Sequence, residues 1–96
     1  MLAVKFQRVG FLGSGRMGTA LSLAMCNAGY DIEMVSSRSL DAASSLASKL
    51  VGCEATDNFA DLQERCDLIF LTVPDHAITE IASDFQWRKG QAVIHC

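Results

Sequence analysis

Val9-Gly10-Phe11-Leu12-Gly13-Ser14-Gly15-Arg16-Met17-Gly18 is the stretch on which the reading of this chain turns. An apolar run ends on three glycines spaced G-x-G-x-x-G. Behind them Met17, Ala20, Leu21, Ala24 and Ala28 recur at helical spacing. The glycine spacing alone is a weak signal; a strand before it and a helix after it give it meaning. Each glycine then has its own reason. Gly13 permits the tight turn, Gly15 leaves the backbone open to a pyrophosphate, and Gly18 lets helix and strand pack closely. Backbone N–H groups and the helix dipole supply partial positive charge for phosphates. Ser14 and Met17 lie inside this loop. Arg16 stands in the first turn, where it either touches the pyrophosphate or is simply solvated.

Two periodicities alternate outward from this loop. The first strand is read over residues 5–12. Gly29 stops the first helix, and residues 31–36 form a second strand. Ser39 caps a second helix whose inner face carries Leu40, Ala43, Leu46, Ala47 and Leu50. A weak third strand falls around residues 52–55, and Asn58 caps a short helix through Leu62 and Glu64. Residues 68–73 form the strongest strand, a near-continuous apolar run of the kind buried on both faces of a parallel sheet. Pro74 ends it. Asp75 caps a fourth helix with Ile78, Ile81, Ala82 and Phe85 on one side, and residues 92–95 make a fifth strand. Strands and helices in this alternation predict an α/β fold: one domain, residues 1–96, with a doubly wound parallel sheet of order 3-2-1-4-5. Ligands of such sheets sit at the carboxyl ends of the strands, where the order reverses.

That rule selects the loops to read. Dinucleotide sites that take NAD place Asp or Glu after the second strand to bond the ribose 2′-hydroxyl. Here the corresponding residues are Ser36, Ser37, Arg38 and Ser39, with no carboxylate; Glu33 lies too early. A guanidinium and small hydroxyls suit a 2′-phosphate, which a carboxylate would repel. The residues therefore favour NADP(H) over NAD(H) or FAD. The other reading makes Arg38 a surface charge and Ser39 only a cap. After the fourth strand, Val73 and Pro74 are placed to wall the nicotinamide ribose. Asp75 reads as a cap rather than a catalytic acid, and His76 as a solvated first-turn residue, with a general acid–base role as the other reading. His95 reads as a partly buried strand-end residue, the other reading being one that orients substrate or passes a proton. The neighbours that would set the reactivity of Cys96 do not follow from the sequence.

Composition narrows the partners. A chain of 96 residues, half of them hydrophobic, supports one modest core. A net charge of −3 argues against nucleic acid as the main partner, and no apolar run approaches a membrane span. The start lacks the charged lead and apolar core of a signal peptide. Cys26, Cys53, Cys66 and Cys96 show no C-x-x-C pair and no zinc spacing with histidine, so no metal is expected. They read as thiols of a reducing cytoplasm.

Residues 9–18, then Ser36-Ser37-Arg38-Ser39, then Leu71-Thr72-Val73-Pro74 together resemble the amino-terminal domain of the pyrroline-5-carboxylate reductase group. Deazaflavin-dependent NADP oxidoreductases and 6-phosphogluconate-type dehydrogenases are similar in the same stretches. Val93-Ile94-His95-Cys96 looks most like a Rossmann-like branch of that group. The resemblance implies NADP(H) binding, with the 2′-phosphate near Ser37, Arg38 and Ser39. It implies an oxidoreductase that moves a hydride between nicotinamide and a small imine, carbonyl or related substrate. Where Ser37 stands, reductase members often carry Asn. Members also add a helical second domain that dimerises and forms the substrate site; it is absent from these 96 residues, so a homodimer is expected only through that domain. A non-catalytic NADP(H)-sensing module is the alternative.

Overall fold

A computed structural model gives the protein's fold and describes residues 8–73 and 90–95. The elements run β1 (Val9–Leu12), α1 (Arg16–Asn27), β2 (Ile32–Ser36), α2 (Leu40–Ala47), β3 (Glu54–Thr56), α3 (Phe59–Arg65), β4 (Leu68–Leu71) and β5 (Ala92–His95). All strand pairings are parallel, and the sheet order is β3-β2-β1-β4-β5, as predicted. It is a Rossmann-type α/β sheet that changes winding direction between β1 and β4. The fourth helix read after Asp75, together with Pro74, His76 and Cys96, lies outside the described residues.

Period-two alternation along β1 and β4 splits the core into two layers, and a register shift between Ile32 and Met34 lets β2 follow it. Val9, Phe11, Ile32, Val35, Leu68 and Phe70 point to one face and pack with Ala43, Leu46 and Leu50 of the α2 region. The Phe11 and Phe70 rings stack there, with centroids 4.9 Å apart. Leu12, Met34, Ile69 and Leu71 point to the other face, against Leu62 and Cys66 of the α3 region. Gly10 makes that second contact possible. A Cβ there would stand 2.5 Å from both Cys66 Sγ and Leu62 Cδ2, so α3 sits closer to β1 than any larger residue allows.

Side-chain caps start α2 and α3 where expected. Ser39 Oγ accepts from the Ala42 N–H at 3.2 Å, and Asn58 Oδ1 accepts from the Ala60 N–H at 3.0 Å. Gly29, at φ 97°, follows the end of α1. The strand bounds shift slightly. The third strand is Glu54–Thr56 rather than 52–55, the second starts at Ile32, and the fourth leaves the ladder after Leu71.

The largest correction concerns α1. The apolar spacing assigned Met17, Ala20, Leu21, Ala24 and Ala28 to its inner face. Instead Gly18 and Ser22 are buried, Met17 is 55 % exposed, and Ala20, Ala24 and Ala28 face solvent. Only Leu21 of that set packs on the core, alongside Leu23, Met25 and Cys26. Close approach of helix to strand decides the outcome. It needs the smallest side chains at the contact, and Ser22 can enter because its hydroxyl donates to the Thr19 carbonyl at 3.2 Å. Leu40 likewise proves exposed, since it sits at the first position of α2. His95 was read as partly buried and is exposed at the end of the edge strand β5.

Candidate functional site

Three loops meet at the carboxyl edge of β1, β2 and β4. The glycine loop, residues 13–15, is held from both sides. Gly13 N–H donates to Ser36 O at 2.8 Å, and Thr72 Oγ–H lies 2.9 Å from Leu12 O and 3.3 Å from Gly13 O. The Gly13 backbone has φ 110°, a region that L side chains rarely enter, and a Cβ there would lie 2.6 Å from the Thr72 carbonyl oxygen. At Gly18 a Cβ would collide with the Gly13 carbonyl oxygen. Both glycines are therefore demanded by packing.

Gly15 differs. Its φ of −74° suits any residue, and a Cβ placed there would meet nothing within 4 Å. Among the described residues nothing requires a glycine at this position, and the space it leaves lies over the exposed start of α1. That helix start has no side-chain cap and no acidic residue in its first turn. The carbonyl oxygens of the loop are turned inward instead. Besides the two facing Thr72, Ser14 O accepts from Thr19 Oγ1 at 3.1 Å and Gly15 O from Thr19 N–H at 2.9 Å. Among the described residues, the N–H groups of Gly15, Arg16, Met17 and Gly18 have no acceptor. A cradle of uncommitted donors with room for a ligand has the chemistry to hold an anion.

The loop after β2 lies against this cradle. Ser14 Oγ donates to Ser37 Oγ at 3.2 Å, joining two loops 23 residues apart. Ser37 N–H is spent on Thr56 O at 3.2 Å, so its hydroxyl is the polar group left to face a ligand. Ser36 is buried, with its carbonyl committed to Gly13. Ser39 uses its oxygen as a cap and keeps its proton to donate. Arg16 and Arg38 are exposed and make no ion pair among the described residues. Met17 is exposed beside Arg16. Val73 is half-buried and packs on the Leu12 layer. The structure thus brings Gly13, Ser14, Gly15, Arg16, Met17, Gly18, Ser36, Ser37, Arg38 and Ser39 around one edge. Pro74 is outside the described residues. Thr72 was missed as a site residue, because a lone threonine at a strand end carries no motif.

At the amino ends of β2 and β3 an ion-pair network ties the sheet to α3. Arg65 reaches Glu33 on β2 at 2.6 Å and Glu54 on β3 at 2.7 Å. Its hydrogen bond, then its charge, holds the Glu54 carboxyl below the usual carboxylate range. In return Glu54 and Glu33 raise the guanidinium value. Burial and then the charges of Glu33 and Glu54 push the Cys53 thiol up to about 11, so it stays protonated at neutral pH. Among the described residues Cys26, Cys53 and Cys66 form no disulfide. Among the described residues no cluster of His, Cys, Asp or Glu is arranged to hold a metal, and no helix is long and apolar enough to cross a membrane.

Sheet order, glycine cradle and the loop after β2 define the class: a Rossmann-type nucleotide-binding domain. More closely, the chain belongs to the family described as NADP oxidoreductase, coenzyme F420-dependent, whose model matches residues 8–96. A Bacteroides fragilis structure assigned as an NADP oxidoreductase is similar at 26% identity and a TM-score of 0.83, over 93% of this chain and 35% of that one. A Mycobacterium tuberculosis 3-hydroxyisobutyrate dehydrogenase, with L-serine, aligns at 20% identity and a TM-score of 0.78, over 95% and 31%, and speaks to the fold alone. A variant imine reductase of Myxococcus stipitatus in complex with NAD+ aligns at 25% identity and a TM-score of 0.72, over 91% and 29%. No curated relative matches the chain. The chain spans about a third of the length of these structures.

Proposed function

We propose that the carboxyl edge holds NADP(H) and that the chain is the cofactor domain of an oxidoreductase. The observation that carries this is Gly15, open above an uncapped helix start, in a loop whose Ser14 is hydrogen-bonded to Ser37 of the loop after β2. The pyrophosphate would lie on the N–H groups of residues 15–18, with Arg16 within reach of it. Ser37, Arg38 and Ser39 would take the 2′-phosphate through charge-assisted hydrogen bonds. Val73 and Pro74 would wall the nicotinamide ribose. The family description, which names NADP, supports this reading. When bound, the nicotinamide supplies the hydride; the chain's own residues orient it and exclude water from one side.

The substrate would be a small imine, carbonyl or related molecule, in keeping with the imine reductase among the similar structures. A helical second domain would build its pocket and the dimer contact in a longer chain of this family. We therefore expect cofactor binding with little turnover from the 96 residues alone. A crystal structure of the chain with NADP+ tests the reading. It should show the pyrophosphate at residues 13–18 and the 2′-phosphate within hydrogen-bond distance of Ser37 or Arg38. A nucleotide bound elsewhere, or a 2′-phosphate in solvent, would overturn it.

A further inference from the structure

The hydroxyl of Thr72 is half-buried at the end of β4, and its closest partners are not on β4. It faces two successive carbonyl oxygens where β1 enters the glycine loop, Leu12 O at 2.9 Å and Gly13 O at 3.3 Å. The Thr72 N–H also donates to Leu12 O, at 2.9 Å. Across β1, Gly13 N–H is taken by Ser36 O. The first turn of the loop is thus gripped by β4 on one side and β2 on the other. Thr72 crowds both packing-critical glycines as well. Its Oγ1 would lie 2.7 Å from a Cβ at Gly13 and 2.7 Å from one at Gly18.

We propose that Thr72 is a positioning residue for the cofactor: its hydroxyl fixes the glycine loop so that carbonyl oxygens face inward and N–H groups face the pyrophosphate. This rests on the cofactor reading above. The physical case is electrostatic. Without the hydroxyl Leu12 O keeps the Thr72 N–H as donor, whereas the Gly13 carbonyl loses the hydroxyl that faces it; a rotated Gly13 peptide would turn its carbonyl oxygen toward the anion. Loss of the hydroxyl therefore acts on phosphate affinity through peptide orientation, without removing any group that would touch the ligand. Thr72 also ties the pyrophosphate loop to the strand that leads into Val73, so the two halves of a bound dinucleotide would be aligned through one side chain.

The test compares Thr72→Val, which keeps the shape and loses the donor, with Thr72→Ser, which keeps the donor. NADPH affinity is read by calorimetry, and amide hydrogen exchange is read by NMR. For Thr72→Val, NADPH binding should weaken about tenfold, as expected for one hydrogen bond lost from a preorganised loop. Thr72→Ser should stay within about twofold of the parent. Rescue by serine separates the hydroxyl's role from simple packing. In the parent chain, NADPH should slow exchange at Gly13 and Thr72 together with residues 14–18, a result that needs no variant to fold. Equal NADPH affinity for Thr72→Val and the parent would overturn the proposal and leave the cofactor reading standing. So would slowed exchange confined to residues 14–18. A parent chain that binds no dinucleotide would overturn the cofactor reading itself, and the role of Thr72 with it.

Discussion

The two edges of the sheet use the same residue types in opposite ways. At the amino edge Arg65 is paired with Glu33 and Glu54, and its charge is consumed by the fold. At the carboxyl edge Arg16 and Arg38 are unpaired among the described residues, although carboxylates are more numerous than cations in the chain. The helix starts repeat the contrast. A side chain caps both α2 and α3, and each carries an acid in its first turn, Asp41 and Asp61. Neither feature is present at the start of α1, where Gly15 leaves open space. Local stability favours capping and pairing. Where both are withheld together, a ligand of opposite charge is the simplest reason.

Substitutions can break that contrast from either side. The largest effect is expected at Gly13→Ala, which combines a positive φ with a backbone clash. It should cost about 3 kcal/mol of stability, read by urea unfolding. Gly15→Asp should do the reverse. It supplies the missing cap and first-turn charge, so stability should hold or rise by a few tenths to about 1 kcal/mol. NADPH affinity should nevertheless fall by about 100-fold or more, since a carboxylate would occupy the phosphate's place. A fall in stability comparable to that of Gly13→Ala would show that Gly15 serves the fold.

Arg38→Ala is the next in size. Loss of charged hydrogen bonds of ~1.5–3 kcal/mol should weaken NADPH roughly 10- to 150-fold. NADH binding and unfolding should barely change. Equal loss for both dinucleotides would place Arg38 in the fold rather than on the phosphate. The smallest effects belong to the amino edge. Because Glu54 has a lowered folded value, its contribution to stability is complete above the ordinary glutamate range and fades as pH falls through the folded value. Arg65→Met should remove that acid-side dependence and leave NADPH affinity unchanged. On the alkaline side, alkylation of Cys53 should stay slow until the pH nears its raised value of about 11.

Much of this was legible in the sequence because the signals were local. The strand order followed from alternating periodicities, the caps from Ser39 and Asn58, and the tight turn after β1 from its glycines. The inner face of α1 was not legible. Hydrophobic spacing points to Met17 and Ala20, while the real contact is made by Gly18 and Ser22, whose merit is small size against a particular backbone. Gly10 was overlooked for the same reason; its need appears only once Leu62 and Cys66, more than fifty residues away, are packed over it. Thr72 carries no pattern of its own, and its role depends on carbonyl oxygens that another strand turns toward it.

On the proposed reading, the carboxyl edge is left unpaired because it holds a dinucleotide bearing a 2′-phosphate. The most direct test of that reading is calorimetric titration of the purified chain with NADPH and, separately, NADH at one fixed salt concentration. NADPH should bind with a preference of about tenfold or more over NADH. Equal affinities would remove the phosphate from the loop after β2, and no binding of either would contradict the reading outright.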